Sequence, residues 1–160
     1  AARNWCVPPC WNIGGNKIKK GESMYDILKD YEDLPIPSES IYYHDWLIGN
    51  ITSEEAKEHF YRSDHPKGFL ELSEDKQEKL LHWCKQLEKT KTYENGHTSY
   101  GLKHKFEYRK NGFYVTNGQF KGAMLLAGFK PKDKNKLNWV FAFSVKSLRK
   151  IIDTKRYVMV

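Results

Sequence analysis

The sequence predicts an α+β chain, with a mainly helical N-terminal part carrying a small hairpin and, after it, a C-terminal module of winged helix-turn-helix type. Three observations lead there. Apolar residues recur at i, i+3, i+4, i+7 spacing in several stretches between residues 23 and 89. Residues 98–144 read in order as helix, short strand, helix, lysine loop and strand. Charge is also split along the chain: from Tyr100 to Val160 there are 14 lysines and arginines against Glu107, Asp133 and Asp153, a net +11, whereas residues 1–99 hold 13 basic and 17 acidic groups, a net −4. Such asymmetry points to a nucleic-acid or membrane partner at the basic end. No run of about eighteen apolar residues is present to span a bilayer, so no membrane partner is expected and nucleic acid is the expected one.

The elements of the N-terminal part follow in order. Pro8-Pro9 bars helix, and Trp11 and Ile13 before Gly14-Gly15-Asn16, with Lys17-Ile18 after, predict the hairpin. Trp5 and Trp11 are expected to plug a small core rather than to stack on bases. Met24, Ile27, Leu28 and Tyr31 form the stripe of a helix between Ser23 and Asp33, stopped by Pro35 and Pro37. Asp26, Asp30, Glu32 and Asp33 on its other side read as a solvated face rather than a metal site. The apolar and aromatic run 41–48, closed by Gly49-Asn50, predicts a buried strand or short core element. On a strand, adjacent His44 and Asp45 point to opposite faces and do not form a catalytic pair. Thr52 and Glu55 make a capping box for a helix over 53–62, and Asp64–Gly68 is a turn. Ser73 starts the longest helix, Glu74 to about Lys89, with Gln77, Leu80, Leu81, Cys84 and Leu87 inward. Residues 92–97 connect this acidic part, 1–91, to a basic module, 98–160.

Within the module Thr98 caps a helix running to about Lys110, and Asn111-Gly112 ends it. Phe113-Tyr114-Val115 is long enough only for an edge strand. Thr116 and Gln119 form a second capping box, and Gly128 sits where a C′ glycine belongs. Phe120, Ala123, Met124 and Ala127 make the inward stripe of that helix, leaving Gly118, Lys121, Gly122 and Leu125 outward. As the second helix of a helix-turn-helix it would bring Asn117, Gln119 and Lys121 to base edges. Its two outward glycines read nothing, so sequence preference should be modest. Lys130, Lys132, Lys134 and Lys136 occupy every second position of a loop before the strand Leu137–Phe143; as a wing they would neutralise phosphates. Lys103 and Lys105 on the first helix, and Arg149 on a last helix that Ser144 caps, complete the expected phosphate-facing set. Residues 155–160 read as a closing strand.

Three cysteines, Cys6, Cys10 and Cys84, are an odd set. Ala1-Ala2-Arg3 opens without Met or a hydrophobic region behind it, so it reads as a trimmed end rather than a signal peptide. Free thiols in a bacterial cytoplasm are therefore expected. Cys6-x3-Cys10 lacks a second ligand pair with usual zinc spacing, so neither metal nor cofactor is expected.

The run Tyr114 to Phe129, YVTNGQFKGAMLLAGF, followed by Asn138-Trp139-Val140-Phe141, resembles the winged-helix segment at the end of phage and plasmid primase-helicase proteins. With Ser99-Tyr100-Gly101-Leu102-Lys103-His104 the stretch is also similar to uncharacterised proteins of phages and mobile elements. The likeness covers about 50 of the 160 residues, and no P-loop accompanies it. It implies a mobile-element setting and a module facing nucleic acid, without supplying an activity. The expected function is therefore a non-enzymatic nucleic-acid-binding accessory protein of a phage or mobile element, gripping DNA or RNA mainly through phosphates. The alternative is a phage counter-defence inhibitor of anti-CRISPR type, binding a host protein or ribonucleoprotein through Tyr42, Tyr43 and Trp46, since Tyr and Trp are favoured interface anchors. A second alternative is a metal-dependent nuclease using His97, Lys103, His104 and Glu107.

Overall fold

The structure, a computed structural model, describes residues 23–153. The hairpin around Gly14-Gly15, the Cys6 and Cys10 pair and the strand expected at 155–160 lie outside the described residues. Those described form α1 (Met24–Lys29), α2 (Ile41–Leu47), α3 (Ser53–Asp64), a 3-10 segment (Pro66–Glu71), α4 (Glu74–Lys85), α5 (Ser99–Glu107), α6 (Asn117–Leu126) and α7 (Val145–Asp153). No helix among them is long and apolar enough to cross a membrane.

The helix starts follow local chemistry. Ser23, Thr52 and Thr116 close capping boxes with Asp26, Glu55 and Gln119, each pairing satisfying two backbone donors that a helix start leaves open. Ser73 and Thr98 cap α4 and α5 by their hydroxyls. Helix α4 ends short of Lys89 because the chain there turns to meet α7: the Glu88 N–H donates to Ser147 Oγ at 3.0 Å, and Lys89 forms an antiparallel bridge with Phe143.

The expected α+β class is overturned, because no strand or sheet forms among the described residues. With the sheet goes the winged module. At 113–115 the Val115 N–H donates to Glu107 Oε1 at 3.2 Å, so a side chain of α5 takes the donor a ladder would use. The expected wing strand forms isolated bridges at Thr98↔Val140 and Lys89↔Phe143, on either side of the connector, and no ladder among the described residues. Between these bridges the N–H groups of Thr90 and Glu94 donate to the carbonyls of Ala142 and Phe141, and just beyond them the Ser99 N–H donates to that of Trp139. Residues 90–99 are thus spread over 139–142, and segments with such unequal spans cannot repeat a pairing register. The run 41–48 is also corrected: Ser40 Oγ accepts from the Tyr42 N–H and starts a helix, α2, that buries none of its residues. Gly49, at φ 80°, ends the run.

The centre of the molecule is α6. Phe120 meets Trp83 of α4 edge-on at 5.9 Å, and Trp83 in turn meets Phe106 of α5. One apolar cluster joins Leu28, Phe69, Leu80 and Trp83 to Phe106, Phe120, Met124, Trp139 and Phe141, drawing on both sides of the 92–97 connector. The face of α6 expected to point outward is covered by the backbone of residues 64–69. A Cβ on Gly118 would stand 2.3 Å from the His65 carbonyl oxygen, and one on Gly122 2.3 Å from that of Pro66. Glycine is required at both places because the two backbones touch.

Candidate nucleic-acid interface

Burial of α6 removes the base-reading helix. Asn117 is 6% exposed and Lys121 1%. Asn117 Oδ1 accepts from Ser99 Oγ at 2.9 Å, and its Nδ2 lies 3.1–3.2 Å from Asp64 Oδ1, Asn138 Oδ1 and the Leu137 carbonyl. The Trp139 N–H completes the network by donating to Ser99 Oγ. Lys121 Nζ donates to the Asp64 carbonyl at 3.1 Å and lies 4.8 Å from the centre of the Trp139 ring. Burial brings its pKa down to about 8, against a smaller upward pull from Asp64. Gln119 is half-buried, its Oε1 accepting from the Thr116 N–H in the capping box. Asn117 links α6 to α3 and α5 and Lys121 links it to α3, while Gln119 serves its own helix start; none of the three faces a ligand.

The lysine loop stays at the surface but does not project. The Lys132 N–H donates to the Val140 carbonyl and Trp139 Nε1 to the Lys134 carbonyl, which folds the loop back on its own continuation. Lys132 Nζ reaches Asn95 Oδ1 at 3.2 Å, and Lys136 pairs with Glu39 at 3.2 Å. Lys130 and Lys134 are exposed and have no ion-pair partner among the described residues, and the same is true of Lys110, Lys146 and Arg149. Lys105 is half-exposed.

On α5, Lys103 is buried and donates to Glu107 Oε1 at 2.8 Å, while His104 Nδ1 lies 3.0 Å from Glu107 Oε2. Burial alone would raise the Glu107 carboxyl; hydrogen bonds from Lys103, the Val115 N–H and His104 outweigh it and hold the group below its usual range. Three of the four residues in the nuclease reading therefore meet. His97 stands apart, with Nδ1 3.5 Å from Glu94 and its ring edge-on to Phe143. Among the described residues no group of three or more His, Cys, Asp or Glu side chains is placed to hold a metal ion. Cys84 is a buried free thiol whose pKa burial raises.

Around this ion pair stand Tyr100, Tyr108 and Tyr114, all exposed, which the reading of the sequence passed over. The four-residue spacing of Tyr100, His104 and Tyr108 along one helix row is a signal for Tyr100 and Tyr108; Tyr114, off the helix, has none. On α2, Tyr42 stacks on His59 of α3 at 5.1 Å, and Tyr43 meets Trp46 edge-on at 5.6 Å. Tyr42 and Tyr43 are half-buried and Trp46 exposed, joined in the solvent by Ile41, Leu47 and Ile48, which the strand reading had turned inward.

Comparison with protein-family models, with curated proteins and with solved structures finds no match to this chain.

Proposed function

We propose that the chain is a non-enzymatic nucleic-acid-binding accessory protein, gripping phosphates through exposed cations of its basic half. Its setting in a phage or mobile element rests on the sequence resemblance. The observation that carries the proposal is the set Lys110, Lys130, Lys134, Lys146 and Arg149, exposed and without ion-pair partners among the described residues, in a segment of net +11. Cations left open in this way attract a polyanion and release its counterions on contact, whereas paired ones have little field to offer. With Asn117 and Lys121 enclosed, no base-reading helix remains, so affinity should vary little with sequence.

Fluorescence anisotropy across a salt series tests this. Binding should weaken steeply with salt, by about 0.9 in log–log slope for each phosphate neutralised on duplex. Replacing Lys130, Lys132 and Lys134 together by Ala should flatten the slope by about 2 to 3 units; an unchanged slope would remove the loop from the interface.

A second reading, a counter-defence inhibitor that docks on a host protein or ribonucleoprotein, is favoured by α2. Exposed Ile41, Trp46, Leu47 and Ile48 form an apolar patch on an acidic half, and such patches commonly mark protein contacts. Failure of the purified chain to bind any nucleic acid in the same salt series would overturn the first reading and leave this one.

A further inference from the structure

We propose that Tyr100, Tyr108 and Tyr114 form a stacking platform for unpaired bases, so that the ligand of this chain is single-stranded nucleic acid; the inference rests on the phosphate-gripping reading and specifies the form of strand held.

The three rings are 51%, 85% and 74% exposed. Tyr100, His104 and Tyr108 succeed one another four residues apart on α5 and its cap, so they form one row. Tyr100 meets His104 edge-on at 4.5 Å, and His104 lies 26° from parallel with Tyr108 at 6.1 Å. Tyr114 joins the row through Lys103, whose Nζ is 5.4 Å from the centre of the Tyr100 ring and 5.1 Å from that of Tyr114.

The row is held rigidly from beneath. Lys103 is tied to Glu107, and the same Glu107 oxygen accepts the Val115 N–H at 3.2 Å. That oxygen therefore pins the segment bearing Tyr114 to the helix bearing Tyr100, which sets the spacing of the two backbones that carry the rings. Setting the backbone in advance lowers part of the ordering cost of binding. The Glu107 charge is matched by Lys103 and so presents little repulsion to a passing phosphate. Exposed Lys110 and half-exposed Lys105 lie on the same stretch of chain.

Exposed aromatics among cations suit a strand whose base faces are free. In a duplex those faces are already stacked on one another, so a tyrosine finds only edges and phosphates. Stacking on unpaired bases tolerates any sequence, because every base has a π-face. That tolerance agrees with a molecule whose expected base-reading side chains are buried. Tyrosines also anchor protein contacts, but the net +11 of residues 100–160 favours a polyanion.

The test measures anisotropy of a labelled oligothymidylate, an oligouridylate and a duplex of equal length with the full chain and with Tyr108→Ala, Tyr114→Ala and the matching Phe variants. Single strands should bind more tightly than duplex. Each Ala variant should weaken oligothymidylate binding roughly 5- to 100-fold, by the usual range for base–aromatic stacking. Phe should restore it, because the ring and not the hydroxyl does the stacking. The salt slope should stay unchanged in the Ala variants, since no cation has been removed. If wild-type chain binds duplex and single strand alike and the Ala variants are silent, the platform is overturned while the phosphate grip stands. If wild-type chain binds no nucleic acid, the phosphate grip falls and the platform with it. Ala variants that keep oligothymidylate affinity but lose a defined protein partner would assign the tyrosines to a protein contact and overturn the platform.

Discussion

Helices α6 and α2 both mix apolar with polar residues, yet one is buried almost throughout and the other buries none of its residues. Helix α6 carries Asn117, Gln119, Lys121 and two glycines, yet all of it except Gln119 is buried. Helix α2 is a run of Ile, Tyr, Trp and Leu with a single acid, yet none of it is buried. The difference lies in the neighbours. Gly118 and Gly122 leave a smooth face into which residues 64–69 press, so backbone covers what would otherwise be a polar surface. On α2 the covering is one-sided: Tyr42 rests on His59 of α3, and Ile41, Leu47 and Ile48 meet solvent. A helix is buried when adjoining segments can approach it: on α6 the apolar stripe meets the core on one side, and Gly118 and Gly122 admit the backbone of residues 64–69 on the other.

The largest expected effect comes from closing that approach. In Gly122→Ala the new methyl would lie 2.3 Å from the Pro66 carbonyl oxygen and 2.6 Å from Phe69 Cβ. Both groups are backbone or rooted on it, so relief requires the whole 3-10 segment to move. Overpacking of this kind should cost about 3 kcal/mol or more. Gly101→Ala on α5, where the nearest group is Thr98 Oγ1 at 3.9 Å, should instead gain up to about 1 kcal/mol from helix propensity. Urea unfolding of the two variants measures the contrast, and a Gly122→Ala chain as stable as wild type would mean that residues 64–69 do not cover α6.

The next effect concerns the charge enclosed with α6. The Lys121 pKa falls from 10.5 to about 8 on folding, so between those values the unfolded chain binds the extra proton. Stability contributed by this group therefore rises as pH rises from about 8 to 10.5 and is lowest at neutral pH. At 1.36 kcal/mol per pH unit the charged form costs about 3 kcal/mol before its contact with Trp139 is counted. Lys121→Met should accordingly stabilise the chain by about 1–2 kcal/mol at pH 7, and the gain should shrink toward pH 10. Paired urea titrations at the two pH values check this; a Lys121→Met chain less stable than wild type at pH 7 would make Lys121 a net contributor to the core.

What could be read from the sequence follows from the range of the forces involved. The capping boxes at Thr52 and Thr116, the hydroxyl caps at Ser73 and Thr98 and the left-handed Gly128, at φ 92°, were all legible, because each is settled within four residues. The sheet was misread because Leu137–Phe143 has strand composition, but a ladder needs a partner of matched length and the connector supplies none. The run 41–48 was misread because aromatic residues signal burial only where a second surface exists to bury them. At the candidate interface, charge count pointed to the lysine loop without distinguishing Lys130 and Lys134, which stand open, from Lys136, which is tied to Glu39. Asn117 and Lys121 were assigned outward by helical spacing, which ranks the faces of a helix but cannot count how many are covered.

The smallest expected effect is on α2, and it bears most directly on the contrast with α6. Leu47 and Trp46 are exposed, so removing their side chains takes little apolar surface out of any core. Leu47→Ser should leave unfolding free energy within about 0.5 kcal/mol of wild type and Trp46→Ala, whose ring also meets Tyr43, should cost about 1 kcal/mol, whereas Phe120→Ala at the centre of α6 should cost about 3–5 kcal/mol. A stable chain that keeps these variants folded leaves α2 free for a partner, which the same variants would weaken without changing the salt slope for nucleic acid. A loss above about 2 kcal/mol for Leu47→Ser would indicate a covered side chain; α2 would then be enclosed in solution, and the exposure that separates it from α6 would be gone.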